Sequence, residues 1–323
     1  MRVLVTGGAG FIGRAVVRRL VARGDRVTAI VRDPGRAGVL TDLGVDLRTG
    51  DLSRTAAIVD AMRGSDAAIH LAGDYRVGIA VRERPAMHEA NVAVAHRMFD
   101  ALSVSGLERL VAISTVNVLG DTHGRIVDER YRRDLTEGFL SYYDETKFLA
   151  HRAAEERAAA GDPVVIVMPG VTYGPGDHSA VGEQLRQAYH GTLRYVAISD
   201  TGISAVHVDD LAAGIVAALD RGRIGEAYVL AGENTRLLDA LATAARVGGH
   251  AMPRLTLPSG AVRLAARVPA AMARALGFPE DLGEVVRASV GVTYWASSAK
   301  AATELGYVPR DLASGIRAAY GDD

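Results

Sequence analysis

The stretch Leu4-Val5-Thr6-Gly7-Gly8-Ala9-Gly10-Phe11-Ile12-Gly13 decides the fold. It follows an apolar run that predicts a β-strand over Arg2–Thr6 and leads into an amphipathic pattern that predicts a helix over 11–23. Its glycines satisfy both Gly-x-Gly-x-x-Gly, at 8, 10 and 13, and Gly-x-x-Gly-x-x-Gly, at 7, 10 and 13. Such glycines permit a tight turn, let backbone amides approach a pyrophosphate, and let the helix pack close to the sheet. The stretch therefore predicts a dinucleotide-binding turn, with further amide donors at the start of the helix.

The same alternation of strand and helix continues to about residue 170. Further strands are predicted at 27–31, 46–49, 67–71, 110–114 and 164–168, and helices at about 54–63, 86–105 and 141–160. Continuous apolar strands that alternate with helices are typical of a parallel sheet covered on both faces. We therefore expect an α/β fold with a doubly wound parallel Rossmann sheet.

After Pro169 the pattern loosens into short amphipathic helices and proline-punctuated loops. We predict a nucleotide-binding domain over 1–168 and a smaller C-terminal lobe, mainly for substrate binding, over 169–323. The segment 206–219 has the pattern of another strand-to-helix step. We therefore expect 204–231 to return to the first domain and its sheet.

Composition narrows the classes of function. The chain has 37 basic and 38 acidic residues and a formal net charge of -1, which argues against nucleic acid or an anionic membrane as a partner. It has no cysteine, so disulfides and zinc–thiolate sites are excluded, and no metal site is predicted. The opening residues predict a strand rather than a signal peptide, and no apolar run reaches the roughly 18 residues of a membrane span. We expect a soluble cytoplasmic protein with a small-molecule substrate.

The end of the second strand bears on the choice of cofactor. An acidic residue there binds the ribose hydroxyls of NAD, whereas an arginine accommodates the 2′-phosphate of NADP. Here Arg32 comes first and Asp33 follows it, directly before a proline. This order favours NADP over NAD; alternatively, Arg32 stays in solvent and Asp33 only starts a turn. Contacts with the adenine are predicted after the third strand, from Asp51 and Leu52. At the end of the fourth strand, Leu71, Ala72 and Gly73 are predicted to lie against the cofactor.

The segment Ser141-Tyr142-Tyr143-Asp144-Glu145-Thr146-Lys147 contains a Tyr-x-x-x-Lys pair, in a chain with only two lysines. Residues four apart share one face of a helix. The Lys147 ammonium is expected to stabilise the Tyr143 tyrosinate and lower its pKa, so that the phenol can exchange a proton with substrate. At the end of the fifth strand, the hydroxyl of either Ser114 or Thr115 can polarise the reacting oxygen.

Together these residues resemble the extended short-chain dehydrogenase/reductases, over essentially the whole chain. Residues 6–13 are similar to the nucleotide fingerprint of that family, and Tyr143 and Lys147 match its catalytic pair. The resemblance implies that Thr115 is the catalytic hydroxyl and that Asn91 organises a water near the lysine. It also implies a role for Pro169 and Val171. They lie in the segment 169–177, which is similar to the loop of the family that passes the nicotinamide.

Three functions are consistent with this pattern. The run Arg32-Asp33-Pro34 resembles dihydroflavonol-reductase-like members, which favours an NADP-dependent oxidoreductase that moves hydride between nicotinamide and a carbonyl or alcohol carbon. The alternatives are an NAD-dependent sugar-nucleotide epimerase or dehydratase, and a non-catalytic NADP-binding redox sensor. Met168 and Leu119 depart from sugar-nucleotide enzymes, and the intact Tyr–Lys pair argues against a sensor. The helices predicted at 86–105 and 141–160 are candidate surfaces for a homodimer.

Overall fold

The computed structural model describes residues 1–266, 269–275 and 278–321. The strands in these ranges are β1 (Arg2–Thr6), β2 (Arg26–Val31), β3 (Asp46–Thr49), β4 (Ala67–His70), β5 (Arg109–Ile113), β6 (Val164–Pro169), β7 (Val171–Tyr173), β8 (Gly202–His207), β9 (Ala227–Leu230) and β10 (Glu233–Arg236). The α-helices are α1 (Phe11–Ala22), α2 (Gly38–Asp42), α3 (Thr55–Met62), α4 (Arg84–His88), α5 (Val94–Ser105), α6 (Tyr142–Ala159), α7 (Ala180–Tyr189), α8 (Val208–Arg221), α9 (Leu237–Val247), α10 (Ser259–Ala265), α11 (Ala270–Ala275), α12 (Leu282–Arg287), α13 (Ala299–Leu305) and α14 (Leu312–Tyr320).

A seven-stranded parallel sheet organises the larger part of the molecule. Its strand order is β3-β2-β1-β4-β5-β6-β9, so the chain reverses its direction across the sheet between β1 and β4. Apolar residues of α1 and α8 cover one face, and those of α3, α5 and α6 cover the other. The predicted α/β class and doubly wound sheet are confirmed. In such sheets ligands bind outside the carboxyl ends of the strands, at the point of reversal.

A second sheet of three strands, in the order β10-β8-β7, forms the centre of a smaller lobe. It packs with α7, α9 and α14 around a separate apolar core. The strand-to-helix step predicted at 206–219 begins with β8, and β8 lies in this small sheet. The expectation was that this strand would return to the large sheet. The helix of that step, α8, packs on the large sheet. The strand β9 then pairs with β6 and is the seventh strand of the large sheet.

The helix predicted over 86–105 is present but is not uniform. Between α4 and α5 the backbone is π-helical over Glu89–Ala93, where hydrogen bonds close a wider turn. Among the described residues, no helix combines the length and apolar character needed to cross a bilayer. Nor do the described residues contain a cluster of metal-ligating side chains.

Candidate active site

The glycine-rich loop packs directly against the end of β4. Gly7 has φ of 73°, and a Cβ there would lie 2.7 Å from the Ala72 nitrogen. A Cβ on Gly13 would lie 2.1 Å from the Gly7 carbonyl oxygen. Neither position can accept a side chain without moving backbone, so the loop and the first turn of α1 form a close-fitting cradle.

The first turn of α1 directs the partial positive charge of the helix N-terminus at this cradle. Gly10 is the N-cap, no side chain caps the helix, and the first turn contains no acidic residue. The leading amides, including those of Phe11 and Ile12, are the donors that a helix of this kind offers to a phosphate. The cradle thus has the shape and charge that a pyrophosphate requires.

The predicted cofactor contacts lie together along the carboxyl edge of the large sheet, at or after the ends of β1, β2, β3, β4 and β6: Gly7, Gly10, Phe11, Ile12, Gly13, Arg32, Asp51, Leu52, Leu71, Ala72, Gly73, Pro169 and Val171. At the last of these ends the chain passes close to the small lobe. A Cβ on Gly170 would lie 2.2 Å from the Ser204 carbonyl oxygen, so this crossing also excludes a side chain.

Arg32 and Asp33 differ in how the protein uses them. Arg32 is exposed directly after β2, and its guanidinium forms no hydrogen bond or ion pair with the described residues. Asp33 instead caps a 3-10 turn, where its Oδ1 accepts a hydrogen bond of 3.0 Å from the Gly35 amide. Asp51 accepts hydrogen bonds from Ser53, which lower its pKa, and the nearby Arg32 charge lowers it further.

Tyr143 and Lys147 lie near the start of α6, with Thr115 opposite them at the end of β5. Tyr143 is only 9% exposed, and the Thr115 side chain is close enough to its phenol to influence its pKa. The Lys147 Nζ donates a hydrogen bond of 2.8 Å to the carbonyl oxygen of Ile113, the last residue of β5. The structure therefore brings the predicted hydroxyl, phenol and ammonium to one place.

The pKa of Tyr143 does not follow the sequence-based expectation. Burial raises it above its ordinary value; Tyr75 and Asp144 raise it further, and the nearby Thr115 hydroxyl opposes them. Lys147 is not among the groups that shift this pKa in the structure, and its Nζ donates to the Ile113 carbonyl. Burial also lowers the pKa of Lys147 to about 8. The expected lowering of the tyrosine pKa is thus absent from this structure.

The two candidate hydroxyls at the end of β5 have different partners. Thr115 accepts from the Asn117 amide and donates to Asn117 Oδ1, and it adjoins Tyr143. The Ser114 Oγ lies 2.9 Å from Nδ1 of His151, on the next turn of α6 after Lys147. The geometry therefore favours Thr115 as the hydroxyl next to the phenol.

Asn91 lies in the π-helical segment and joins two elements of the site. Its amide nitrogen donates to the Asp74 carbonyl, at 2.9 Å, and to Thr146 Oγ1, at 3.0 Å; its Oδ1 accepts from the Asp74 amide at 2.7 Å. It thereby holds the segment after β4 against α6. Asn91 and Lys147 also line one small cavity of about 20 Å³.

Tyr75, which sequence reasoning did not select, covers Tyr143. Its ring stands edge-on to that of Tyr143, with centroids 4.8 Å apart. The loop that carries Tyr75 is held by the buried carboxylate of Glu284, which accepts from the Gly78 amide at 3.0 Å. No sequence signal identifies this contact, because its partners are more than 200 residues apart.

Arg133 was also missed. Its side chain is buried and pairs with the buried Asp144 at 2.7 Å. Its guanidinium also lies over the rings of Phe139 and Phe148. Because Asp144 follows Tyr143 directly, this ion pair fixes the start of α6 and the position of the phenol.

Comparisons with known proteins agree with this geometry. Residues 3–231 match the model of the NAD-dependent epimerase/dehydratase family. The chain is 31% identical to a putative dihydroflavonol 4-reductase of Synechocystis sp. over 79% of this chain and 74% of that one. It is 29% identical to a 4-hydroxy-2-methyl-3-oxo-4-farnesyl-3,4-dihydroquinoline-1-oxide ketoreductase of Stigmatella aurantiaca, over 96% and 92% of the two chains. The crystal structure of gox2253 superimposes with a TM-score of 0.82 at 30% identity, covering 99% of this chain and 96% of the other.

Proposed function

The chain belongs to the NAD-dependent epimerase/dehydratase family, and we propose that within it the protein is an NADP-dependent reductase of ketones or aldehydes, or the corresponding alcohol dehydrogenase. The observation that carries this proposal is the placement of the Thr115 side chain beside the Tyr143 phenol, with Lys147 one turn along α6 and bonded to the end of β5, at the edge of the sheet that carries the cradle for a dinucleotide. The names of two relatives, a reductase and a ketoreductase, point in the same direction.

The cradle fits the cofactor that the family implies. Gly7 and Gly13 leave no room for side chains, and the α1 amides would hold the pyrophosphate. Lys147 would hold the nicotinamide ribose. When bound, the cofactor supplies or accepts the hydride, and the protein positions the groups that act with it.

In the direction of reduction, Tyr143 acts as the general acid. As hydride reaches the carbonyl carbon, the phenol gives its proton to the carbonyl oxygen, and the products are an alcohol and a tyrosinate. Thr115 orients the same oxygen through its hydroxyl. The Lys147 ammonium stabilises the tyrosinate that forms, which is where its charge has most effect.

We assign NADP rather than NAD on the contrast between two adjacent side chains. Asp33 is occupied as a turn cap, whereas Arg32 is exposed and unpaired among the described residues. A 2′-phosphate would give the Arg32 guanidinium a charged acceptor of the kind it favours.

The substrate we propose is a ketone or aldehyde with an apolar or aromatic body. The surroundings of Tyr143 support this class, because Tyr75 lies against its ring and Val77, Ile79 and Met87 pack with it. Of these, the exposed Tyr75 and the partly exposed Val77 offer contact area and few hydrogen bonds to a ligand, which suits an apolar ligand better than a nucleotide sugar.

A cofactor and substrate assay with a matched variant tests the proposal. The wild-type protein is expected to oxidise NADPH in the presence of some members of a panel of aryl and alkyl ketones. Tyr143→Phe removes one oxygen and should lower kcat by about 10²–10⁴ with little change in the binding of NADPH. Tyr142→Phe is the control, because Tyr142 is the adjacent phenol and its ring lies under the Arg84 guanidinium. Purified protein that retains NAD and interconverts sugar nucleotides with no net change of cofactor would assign it to the epimerase alternative.

We also propose that the protein is a homodimer that pairs through α5 and α6. Val104 on α5 and Leu149 on α6 are exposed apolar side chains on these helices. Light scattering coupled to size-exclusion chromatography measures the oligomeric state, and a monomer at micromolar concentration would contradict the pairing.

A further inference from the structure

Four protonatable side chains follow one another along a single face of α6. Tyr143, Lys147, His151 and Glu155 are each four residues apart, so they lie one above another on the helix. The reaction proposed above uses only the first two. The other two continue the same line from the site towards the surface.

His151 connects an inner hydroxyl to an outer carboxylate. Its Nδ1 lies 2.9 Å from Ser114 Oγ, and its Nε2 lies 3.5 Å from Glu155 Oε1. The side chain of His151 is 10% exposed and that of Glu155 is 26% exposed. Arg132 and Arg152 also approach Glu155, so the outer end of the line is a charged cluster open to water.

The cavity of about 20 Å³ lies between the inner and outer parts of this line. Lys147, His151, Ser114 and Asn91 all line it, and they supply the polar partners that one buried water requires. His70 lines the cavity too, but it hydrogen-bonds Thr6, and burial lowers its pKa to about 3. His70 therefore stays neutral and leads to the interior of the sheet, whereas His151 leads outward.

Tyr143 needs such a connection if it gives up a proton in every turnover. Its side chain is almost entirely buried, and its ring is covered by Tyr75 on the side of the loop. A substrate and cofactor bound at the phenol would close the remaining approach. A proton that arrives from the opposite side, through α6, would not have to wait for the products to leave.

We propose that His151 and Glu155 form a proton-supply path that restores the Tyr143 phenol through Ser114, a water in the cavity and Lys147. The inference rests on the proposed reductase function. One proton enters at Glu155 from solvent and passes to His151. His151 gives a proton through Ser114 to the water in the cavity. Lys147 gives one proton to the tyrosinate and regains one from that water. Each group ends with as many protons as it began with, His151 in its other tautomer, and the net change is one solvent proton bound to Tyr143.

Single-turnover and steady-state kinetics separate this path from a structural role. In a single turnover with enzyme in excess, Tyr143 already carries its proton, so His151→Gln should oxidise NADPH within about twofold of the wild-type rate. In steady state the proton must be replaced, and kcat should fall about tenfold or more, with a larger solvent deuterium isotope effect. Glutamine can still hydrogen-bond Ser114 but cannot carry a proton.

Three further variants sharpen the result. Glu155→Gln should lower steady-state kcat in the same selective manner, whereas Glu156→Gln, one residue along and 68% exposed, should behave as wild type. Added imidazole should restore turnover to His151→Ala. Unchanged kcat in His151→Gln, or an equal loss in both kinetic regimes that imidazole does not repair, would overturn the path. A wild-type protein for which none of the carbonyl compounds in the panel supports the oxidation of NADPH would instead overturn the reductase function, and the path with it.

Discussion

Replacing Arg32 with alanine should change which cofactor the protein prefers. A hydrogen bond to a charged group contributes about 1.5–3 kcal/mol, and one decade in Kd corresponds to about 1.4 kcal/mol. The loss of NADPH affinity should therefore lie between about tenfold and a hundredfold. Because Arg32 is exposed, screening by solvent places the expected value towards the lower end. NADH has no 2′-phosphate, so its affinity should hardly change.

Fluorescence titration of NADPH and NADH measures both affinities in the same protein. The matched control is Arg26→Ala, since Arg26 is an exposed arginine at the opposite end of the same strand. Six residues of strand separate the two side chains by about 20 Å, well beyond the screening length at physiological salt. The effect of Arg32→Ala on NADPH should also shrink at high salt, because the interaction is between charges.

Two results would refute this reasoning. An equal loss for both cofactors would mean that Arg32 acts on a part common to them. A wild-type protein that binds NADH more tightly than NADPH would mean that the acidic Asp33, rather than Arg32, selects the cofactor, despite its hydrogen bond to Gly35.

Three further predictions concern the site and its support. Thr115→Val should lower kcat by about 10²–10³ in steady-state assays while Thr115→Ser stays near wild type, and a normal valine variant would assign the orienting hydroxyl elsewhere. Ketone reduction should decline above about pH 8, because Lys147 loses its ammonium there. In Lys147→Arg the pH profile of kcat/KM should not show this decline. A decline at the same pH in that variant would contradict its assignment to Lys147. Arg133→Met should lower the free energy of unfolding in urea by about 3–5 kcal/mol, because it leaves Asp144 buried without its partner; a change below about 1 kcal/mol would show that this ion pair does not hold α6.

The parts of the fold that sequence predicts well are those set by local patterns. The strands β1 and β3 have the predicted bounds, and the other four predicted strands differ by one residue at one or both ends. The glycine loop and the Tyr143–Lys147 pair are equally local, because their spacing alone fixes which atoms lie together. A strand-to-helix step, however, does not state which sheet its strand joins, and β8 accordingly lies in the small sheet.

What the sequence did not predict depends on contacts between distant residues. The burial of Arg133 requires Asp144 and two phenylalanines to surround it, and a short arginine-rich stretch by itself favours solvent. The anchoring of the Tyr75 loop depends on Glu284, far along the chain. The pKa of Tyr143 was expected to fall on the basis of helical spacing, but spacing does not report burial or the direction in which an ammonium points.

The π-helical segment Glu89–Ala93 is equivalent to a single residue inserted into an α-helix. One residue turns an α-helix by about 100°, so deleting it would rotate the preceding turns by that amount against those that follow. Asn91 would then no longer bridge Asp74 and Thr146 while Phe99 stayed in the core. Two contacts therefore fix the rotation of the helix on either side of this residue: Asn91 with the segment after β4, and Phe99 with the core on the sheet. A relative that lacks this extra residue, visible as a one-position gap in an alignment, must support its active-site loop in another way.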